Sequence, residues 1–194
     1  GAINDKKVAH DFIGRILRDI HRMTVMVDDL LELSRIESGQ EVIDIHPVNL
    51  FRIANESISY VIGEINDGMP EITLNVTEEI MVMGQEEKIS QVFVNLIQNA
   101  SRFTRQNGLI TITAKQYDND IVEVSVSDTG MGIAPEHLAH VFERFYKVDR
   151  SRRDGGTGLG LSIVKHLVQA QGGEVFVDSV EGEGSTFKFT LPVA

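Results

Sequence analysis

The segment QVFVNLIQNASRFT, residues 91–104, decides the fold of this chain. If Leu96 and Ile97 lie on the buried side of a helix, Asn95 and Asn99 are four residues apart and share another face of that helix. Two amides in such a place are most often solvated or bonded within their own helix. A functional site on that face is the alternative, and the segments on either side of the helix decide between the two interpretations.

These neighbouring segments predict an α+β fold. After the helix, which we expect over 85–104, the sequence predicts a hairpin over 108–128, a helix over 158–171 and the final strands GEVFVDSV and STFKFTLP. Before it, Pro47 is well placed as the first residue of a helix that runs to about Ile65 and is followed by the short strands EITLNV and IMVMG. The strands come in adjacent pairs between helices, which predicts an antiparallel-rich sheet with helices on one face.

A long amphipathic helix precedes this unit. From Asp11 to Glu37 the apolar residues recur with the alternation of three and four that is typical of a heptad seam. Such a stripe must pack on a second helix, either from the same chain or from another copy. Gly39 favours a helix end, so we place a domain boundary near it, with residues 1–38 on one side and residues 39–194 on the other.

The composition excludes several classes of function. With 18 Lys and Arg against 29 Asp and Glu, the net charge is −11, which argues against a surface for nucleic acid. The absence of cysteine excludes disulfides and thiolate metal sites. No apolar run approaches the ~20 residues of a membrane span, and the first residues do not resemble a signal peptide, so we expect a cytoplasmic fragment without membrane contact.

Residues 155–165, GGTGLGLSIVK, combine closely spaced glycines with the start of a helix. Glycines in this position let backbone N–H groups converge on an anion, and the helix dipole adds to the attraction. The spacing matches neither a Walker loop nor a dinucleotide-binding fingerprint. It therefore predicts a phosphate-binding loop of another type, with a flexible loop before a helix as the alternative.

Residues 128–133, DTGMGI, directly follow a predicted strand. Gly130 and Gly132 allow a sharp turn, so that Asp128 can offer its carboxylate to a donor such as the exocyclic amine of a base. Asp-Thr-Gly also occurs in aspartic proteases, but such a site needs two copies and the chain has one. An Asx turn at the end of the strand is the remaining alternative.

The segment HVFERFYKVDRSRR, residues 140–153, joins aromatic residues to a basic cluster in an otherwise acidic chain. We expect Phe142 and Phe145 to be core residues that fix one end of a mobile loop. The cations that follow are then able to close over an anion, and a solvated charged surface is the alternative. These cations are Lys147, Arg150, Arg152 and Arg153.

Taken in order, these segments resemble the ATP-binding domain of sensor histidine kinases, a family related by fold to type II topoisomerases and heat-shock chaperones. The matching segments are NLIQNASRFT, DTGMGI, VFERFYKVDRSR, GGTGLGLSIVK and GEGSTFKFTLP. They resemble the asparagine, first glycine, phenylalanine, second glycine and final glycine boxes of that family, over residues 40–194. The resemblance implies a two-layer α/β sandwich of the Bergerat type with a mixed, mostly antiparallel sheet. Residues 11–38 resemble the second helix of the dimerisation and phosphotransfer hairpin that precedes this domain in the family.

The resemblance also implies a nucleotide site for ATP. Asp128 would accept a hydrogen bond from adenine N6, and Phe103, which stands where the family commonly has Tyr, would pack by the adenine. The other matching nucleotide-binding residues are Gly130, Gly132, Ile133, Tyr146, Gly156, Thr157, Gly158, Leu159, Gly160 and Leu161.

The phosphate end of the implied site carries the catalytic residues. Asn99 would bind Mg²⁺, with Asn95 able to orient a metal-bound water or the ion itself. Arg102, which stands where the family usually has Lys, would face phosphate. Lys147 and Arg150 would neutralise the γ-phosphate as it leaves. Lys147 replaces a commoner Arg and offers a point charge in place of a planar fork.

The resemblance gives Asn95 a specific meaning. In the hydrolysing relatives, the position one helical turn before the magnesium asparagine is a glutamate that activates water. An amide cannot serve as a general base, so Asn95 favours a histidine kinase over a gyrase-like ATPase. A module that binds ATP and changes conformation without transferring phosphate is the other alternative.

The family's phosphate acceptor is a histidine that begins a His-Glu/Asp-Leu-Arg-x-Pro stretch, and this chain has no such stretch. His10 is the nearest match, and we expect it to be an ordinary surface residue. The resemblance thus implies transfer to a histidine on a dimerisation hairpin, followed by relay to an aspartate in the receiver domain of a response regulator. It further implies a parent protein that is a homodimer and a sensor of the bacterial inner membrane.

Overall fold

The computed structural model describes residues 6–37, 44–64, 68–117, 120–148 and 157–194. These residues form a mixed sheet of five strands, a small sheet of two strands and five helices. In chain order the elements are α1 (Lys6–Glu37), β1 (His46–Asn49), α2 (Leu50–Glu64), β2 (Glu71–Asn75), β3 (Met81–Gly84), α3 (Glu86–Phe103), β4 (Leu109–Tyr117), β5 (Ile121–Asp128), α4 (Pro135–Leu138), α5 (Gly160–Ala170), β6 (Val175–Val180) and β7 (Gly184–Pro192).

The five-stranded sheet has the order β2-β4-β5-β7-β6. Strand β2 runs parallel to β4 and the other three pairs are antiparallel, which confirms the prediction of a mixed, mostly antiparallel sheet. Strands that are adjacent in sequence pair as β4 with β5 and β6 with β7. By contrast, β2 and β3 lie in different sheets, because β3 pairs with β1. A parallel pair needs a long crossover connection, and β3 with α3 supplies it here.

The core lies between the larger sheet and the helices on one of its faces. Alternate residues of β5 and β7 are buried in it, namely Val122, Val124, Val126, Phe187, Phe189 and Leu191. The ring of Phe93 on α3 meets the ring of Phe189 edge to face, with 5.5 Å between centroids. The other face of the sheet carries hydroxyl pairs between strands, such as Ser127 with Thr186 at 2.9 Å. This alternation of period two fixes the register of the central strands.

The second helix begins later than the sequence predicted. Pro47 lies in β1 opposite Met83, and α2 begins at Leu50, so the prediction of Pro47 as the first helical residue is wrong. Asn49 takes the capping role instead, because its side-chain oxygen accepts a hydrogen bond from the Arg52 N–H at 2.8 Å. The sheet tolerates Pro47 because β1 is a short strand with one neighbouring strand.

Helix α1 is continuous, as predicted, and packs against α5. Leu33, near its C-terminal end, is fully buried. Apolar side chains elsewhere on α1 are exposed, among them Ile20 and Val27. In the described ranges, none of the helices has both the length and the apolarity that a bilayer crossing requires. The domain boundary predicted near Gly39 lies outside the described residues.

Candidate functional site

A cavity of about 310 Å³ opens between α3, the segment after β5 and the start of α5. Its wall contains most of the residues that were predicted from the sequence to form a site. They are Asn95, Asn99, Arg102, Phe103, Asp128, Gly132, Ile133, Tyr146, Lys147, Thr157, Gly158, Gly160 and Leu161. Segments that are far apart in the sequence therefore meet in one concave space of a size suited to a small ligand.

Two predicted residues lie behind the wall of the cavity. Gly130 is buried and donates its N–H to Asp128 Oδ1 at 2.8 Å. Leu159 is fully buried and belongs to the hydrophobic core. Arg150 and Gly156 fall outside the described residues, so their predicted roles remain predictions.

Asp128 ends β5 and is 8% exposed. Its Oδ1 accepts the Gly130 N–H, so the Asx turn that was the alternative is present, and the same carboxylate also lines the cavity. Burial raises the pKa of Asp128, and this rise is opposed by the backbone amides of Gly130 and Ser185 and by the nearby hydroxyl of Thr104. A carboxylate held where its charge is disfavoured is typical of functional sites.

The two amides of α3 line the same cavity. Asn95 Nδ2 donates to the carbonyl oxygen of Gln91 at 2.9 Å, so the amide nitrogen is bonded within its own helix. The amide oxygen points to the start of α5, since a Cβ added to Gly160 would lie 2.8 Å from Asn95 Oδ1. Asn95 is therefore consistent with both a structural and a functional interpretation. Its amide nitrogen bonds within the helix, and its amide oxygen lies at the edge of the cavity.

The glycine-rich segment brings the start of a helix to the cavity, as predicted. Helix α5 begins at Gly160, and Gly158 has a φ of +78°, which a residue with a side chain rarely adopts. Thr157 Oγ1 accepts the Leu159 N–H at 3.2 Å and donates to Asp29 Oδ2 at 3.1 Å. A carboxylate from α1 thus lies near the N-terminus of α5, where the helix dipole attracts negative charge.

The aromatic residues before the basic cluster differ in their surroundings. Phe142 meets the ring of Phe187 edge to face at 6.2 Å, which confirms it as an anchor. Phe145 has a φ of +61° and is 54% exposed, so the prediction that it is a core residue is wrong. A spacing of three residues brings side chains together in a helix, but α4 ends at Leu138 and the residues up to Phe145 form turns. Tyr146 lines the cavity and is held by a hydrogen bond of its hydroxyl with His137 Nδ1 at 2.7 Å.

Several residues of the wall were not predicted from the sequence. They are Val25, Asp29, Gln98, Met131, Val141, Val148, Ser185 and Phe187. Six of these lie within segments that the sequence analysis singled out, namely Gln98 in residues 91–104, Met131 in 128–133, Val141 and Val148 in 140–153, and Ser185 and Phe187 in the final glycine segment. The positions of Val25 and Asp29 depend on how α1 packs on α5, and no local pattern in the sequence encodes that contact.

The chain is similar to known proteins over most of its length. Residues 84–194 match the family described as histidine kinase-, DNA gyrase B-, and HSP90-like ATPase. The chain is 35% identical to the sensor histidine kinase WalK of Bacillus subtilis (strain 168), and the match covers 99% of this chain and 32% of WalK. The chain spans less than half the length of these curated relatives, with 32% of WalK and 46% of the mycobacterial SenX3.

Two solved structures extend the likeness to the fold. Full-length ShkA in complex with AMPPNP matches with a TM-score of 0.81 and 28% identity, covering 95% of this chain and 39% of ShkA. The histidine kinase ThkA in complex with the response regulator protein TrrA matches with a TM-score of 0.79 and 26% identity, covering 98% of this chain and 53% of that chain. These structures confirm the predicted fold. Because the family match also covers more than half of its residues, the chain belongs to the histidine kinase-, DNA gyrase B- and HSP90-like ATPase family.

Proposed function

We propose that this chain binds Mg-ATP and, as part of a sensor histidine kinase, transfers the γ-phosphoryl group to a histidine for relay to an aspartate of a response regulator. One observation carries the proposal. A buried carboxylate, two amides, two cationic side chains and a glycine-lined helix start all face a single cavity of about 310 Å³. These are the groups that a purine, a hard metal ion and a chain of phosphates require.

The adenine would lie at the end of the cavity formed by Asp128. Its carboxylate would accept a hydrogen bond from the exocyclic amine, while Phe103 and Ile133 would pack against the ring. All three residues line the cavity, and Asp128 is the buried one.

Purine selectivity tests this assignment. An Asp128→Asn variant presents an amide where adenine requires an acceptor, so we expect ATP binding to weaken more than GTP binding. Calorimetric titration of both nucleotides into the folded variant measures the two affinities. Equal losses for ATP and GTP would contradict the proposed role of Asp128.

The triphosphate would extend towards the start of α5. Arg102 and Lys147 line the cavity, as do Gly158 and Gly160, whose lack of side chains leaves room beside Phe145 and Asn95. Cations and a helix N-terminus together stabilise charge on a phosphoryl group as it is transferred. Lys147 is thus the residue that we propose to neutralise the γ-phosphate, together with Arg150 outside the described residues.

Magnesium would be held mainly by Asn99, with Asn95 beside it. Both amides line the cavity, and the Asn95 oxygen is turned away from its own helix bond. Within the described ranges there is no group of three His, Cys, Asp or Glu side chains that could hold a metal. An amide ligand suits Mg²⁺, which takes most of its ligands from phosphate and water. The ion would supply charge neutralisation of the phosphates.

We propose transfer in preference to hydrolysis because Asn95 offers no general base for water. The partners that follow from transfer are a histidine-bearing dimerisation hairpin and the receiver domain of a response regulator, in a homodimeric parent that acts in the cytoplasm, where ATP is available. The relative ThkA, whose structure contains a response regulator, supports this assignment. A module that binds ATP and changes conformation without transfer is the second candidate, because it would use the same cavity.

A transfer assay separates the two candidates. The folded chain is mixed with γ-labelled ATP, Mg²⁺ and a separately prepared hairpin that carries the family's acceptor histidine, and label on the hairpin is measured. We expect label on the histidine, and none when that histidine is replaced by Ala. ATP binding in calorimetry without any label on the hairpin would favour the module that only binds.

A further inference from the structure

Within the described part of the chain, the buried hydroxyl of Thr104 has no well-aligned hydrogen-bond partner. The residue is 8% exposed, and its Oγ1 makes no hydrogen bond of ordinary geometry within the described residues. Buried polar atoms are nearly always paired, because an unpaired one loses its bonds to water and gains nothing in return. An unpaired buried hydroxyl is unfavourable for folding, so a functional role is one explanation for its presence.

The backbone around Thr104 holds it firmly in place. Its N–H donates to the carbonyl oxygen of Ala100 at 3.0 Å, which ends α3. Its methyl group lies against Gly108, where an added Cβ would come within 2.3 Å of Thr104 Cγ2. The preceding carbonyl, that of Phe103, accepts the Met131 N–H at 3.3 Å. The end of α3 is therefore fixed to the segment that follows β5.

The partner that this packing brings near is Asp128, because a Cβ added to Gly130 would lie 2.6 Å from Asp128 Oδ1 and 2.6 Å from the carbonyl oxygen of Phe103, the residue before Thr104. The Thr104 hydroxyl is close enough to the carboxylate to lower the pKa of Asp128, although the two do not form a well-aligned bond. Thr104 does not itself line the cavity, whereas Asp128 does. The hydroxyl therefore approaches the carboxylate from a residue outside the wall of the cavity.

We propose that Thr104 is a positioning residue for nucleotide binding, whose hydroxyl donates to the Asp128 carboxylate when a purine occupies the cavity and so keeps that carboxylate oriented and ionised as an acceptor. This inference rests on the proposed function, because it gives Asp128 its purine-binding role. Thr104 acts through Asp128 and makes no contact with the nucleotide.

The other groups around Asp128 set the background against which this effect is measured. Burial and the backbone amides of Gly130 and Ser185 act on its pKa together with the hydroxyl. Charged side chains that line the same cavity are Arg102 from α3, Lys147 from the segment before α5 and Asp29 from α1. All of these are unchanged by a substitution at position 104. Removing the hydroxyl then takes away one donor and moves the pKa of Asp128 further up, so that ATP binding fails at a higher pH.

A double-mutant cycle tests the proposal. Thr104→Val keeps the shape and the methyl contact but loses the hydroxyl, Thr104→Ser keeps the hydroxyl, and each is combined with Asp128→Asn. ATP affinity is measured by calorimetry with excess Mg²⁺ at several pH values from neutral down to mildly acid. We expect Thr104→Val to bind ATP about 3- to 10-fold more weakly, as the loss of one hydrogen bond predicts. The ratio of its Kd to the wild-type Kd grows as the pH falls, and any titration of ATP itself cancels in that ratio.

The controls distinguish positioning from a general effect on structure. Thr104→Ser restores wild-type binding, and in the Asp128→Asn background Thr104→Val adds less than about twofold, because coupled residues do not act additively. Equal losses in both backgrounds, or a ratio that does not change with pH, would overturn the proposal. Thr104→Ala replaces Thr104→Val in the same cycle if the valine variant does not fold. If the wild-type chain binds no ATP, the proposed function itself is overturned. If the wild-type chain binds ATP, Asp128→Asn loses binding and Thr104→Val keeps it, only this inference is overturned.

Discussion

Asp128 places a cost on the stability of the folded chain. Burial raises the pKa of Asp128 above that of the same group in the unfolded chain. In the pH window between the two pKa values the folded protein binds more protons, so its stability falls as the pH rises through that window. The cost is complete once the pH exceeds the folded pKa, and it is absent below the unfolded pKa.

Replacing this carboxylate should therefore stabilise the empty protein at neutral pH. In Asp128→Asn the side-chain oxygen can still accept the Gly130 N–H, while the charge is gone. We expect a higher Tm than wild type at pH 7 in the absence of nucleotide. The difference in Tm between variant and wild type should shrink as the pH is lowered. For a chain of this size, a stability difference of 1 kcal/mol corresponds to about 2–4 °C in Tm. Asp120→Asn, an exposed turn residue, removes the same charge and should change little. A Tm below wild type at pH 7 would contradict the burial cost.

Asn95 offers a second test at this scale. Its amide oxygen points to the start of α5, so a carboxylate at the same position would face the phosphate end of the cavity. We expect Asn95→Glu to raise ATP hydrolysis at least about tenfold, since a general base typically contributes more than that. Asn95→Gln, which lengthens the side chain without adding a base, is the matched control. Phosphate release is the measurement, and unchanged hydrolysis in an Asn95→Glu variant that still binds ATP would refute this account.

Individual side chains of the site were predictable where the local backbone determines them. Asp128 ends a strand with alternating burial, and a glycine two residues later allows the turn, so both its position and its Asx turn could be inferred. Phe145 was mispredicted because its left-handed backbone is imposed by packing on Gly158, whose carbonyl oxygen accepts the Phe145 N–H at 2.9 Å. Thr104 carried no signal of its own, because an unpaired hydroxyl is visible only in three dimensions.

Among the elements, α1 has the contact with the greatest consequence for the site. It places Asp29 within 3.1 Å of Thr157 and buries Leu33 completely. The carboxylate of Asp29 lies at the end of the cavity where we propose that the triphosphate binds. Two negative groups near one helix N-terminus compete for its positive potential.

Removing that competing charge should strengthen nucleotide binding. We expect Asp29→Asn to bind Mg-ATP about two- to fivefold more tightly at low salt, as a charge near a helix terminus predicts, and the gain to shrink at high salt. Asp28→Asn is the matched control, because Asp28 is an exposed neighbour with the same charge. Calorimetric Kd values at two salt concentrations are the measurement. Identical effects of the two substitutions would show that only the net charge matters.

The order of helices and strands could be predicted, but their partners could not in every case. Period-two alternation located β4, β5 and β7. A short turn accounts for the pairing of β4 with β5, whereas the pairing of β5 with β7 spans α4, α5 and β6. The partner of β2 lies beyond a crossover of a strand and a helix, and nothing near residues 71–75 indicates that it is β4. The prediction of a helix start at Pro47 failed because residues 46–49 pair with β3 as a strand. The helix begins after Asn49, which is a better capping residue than Pro47.

For the molecule as a whole, the exposed side of α1 predicts self-association. Ile20 and Val27 are each 54% exposed and belong to the heptad stripe. We expect the wild-type chain to associate with rising concentration in sedimentation experiments, and the double variant Ile20→Glu with Val27→Glu to remain a monomer. Tyr60→Glu, which alters an apolar residue of similar exposure on α2, should leave association unchanged. A wild-type chain that is monomeric throughout would contradict this prediction.

The position of β7 governs how the chain acquires its structure on the ribosome. Strand β7 lies between β5 and β6, so an interior place in the sheet stays vacant until residue 192 has been synthesised and released from the exit tunnel. Until then a nascent chain exposes the edge of β5 and the face of α3 that carries Phe93, because Phe189 is not yet there to pack against it. A premature stop codon within β7 would accordingly remove a central strand, and we expect such a product to be captured by chaperones and degraded instead of surviving as a shortened domain.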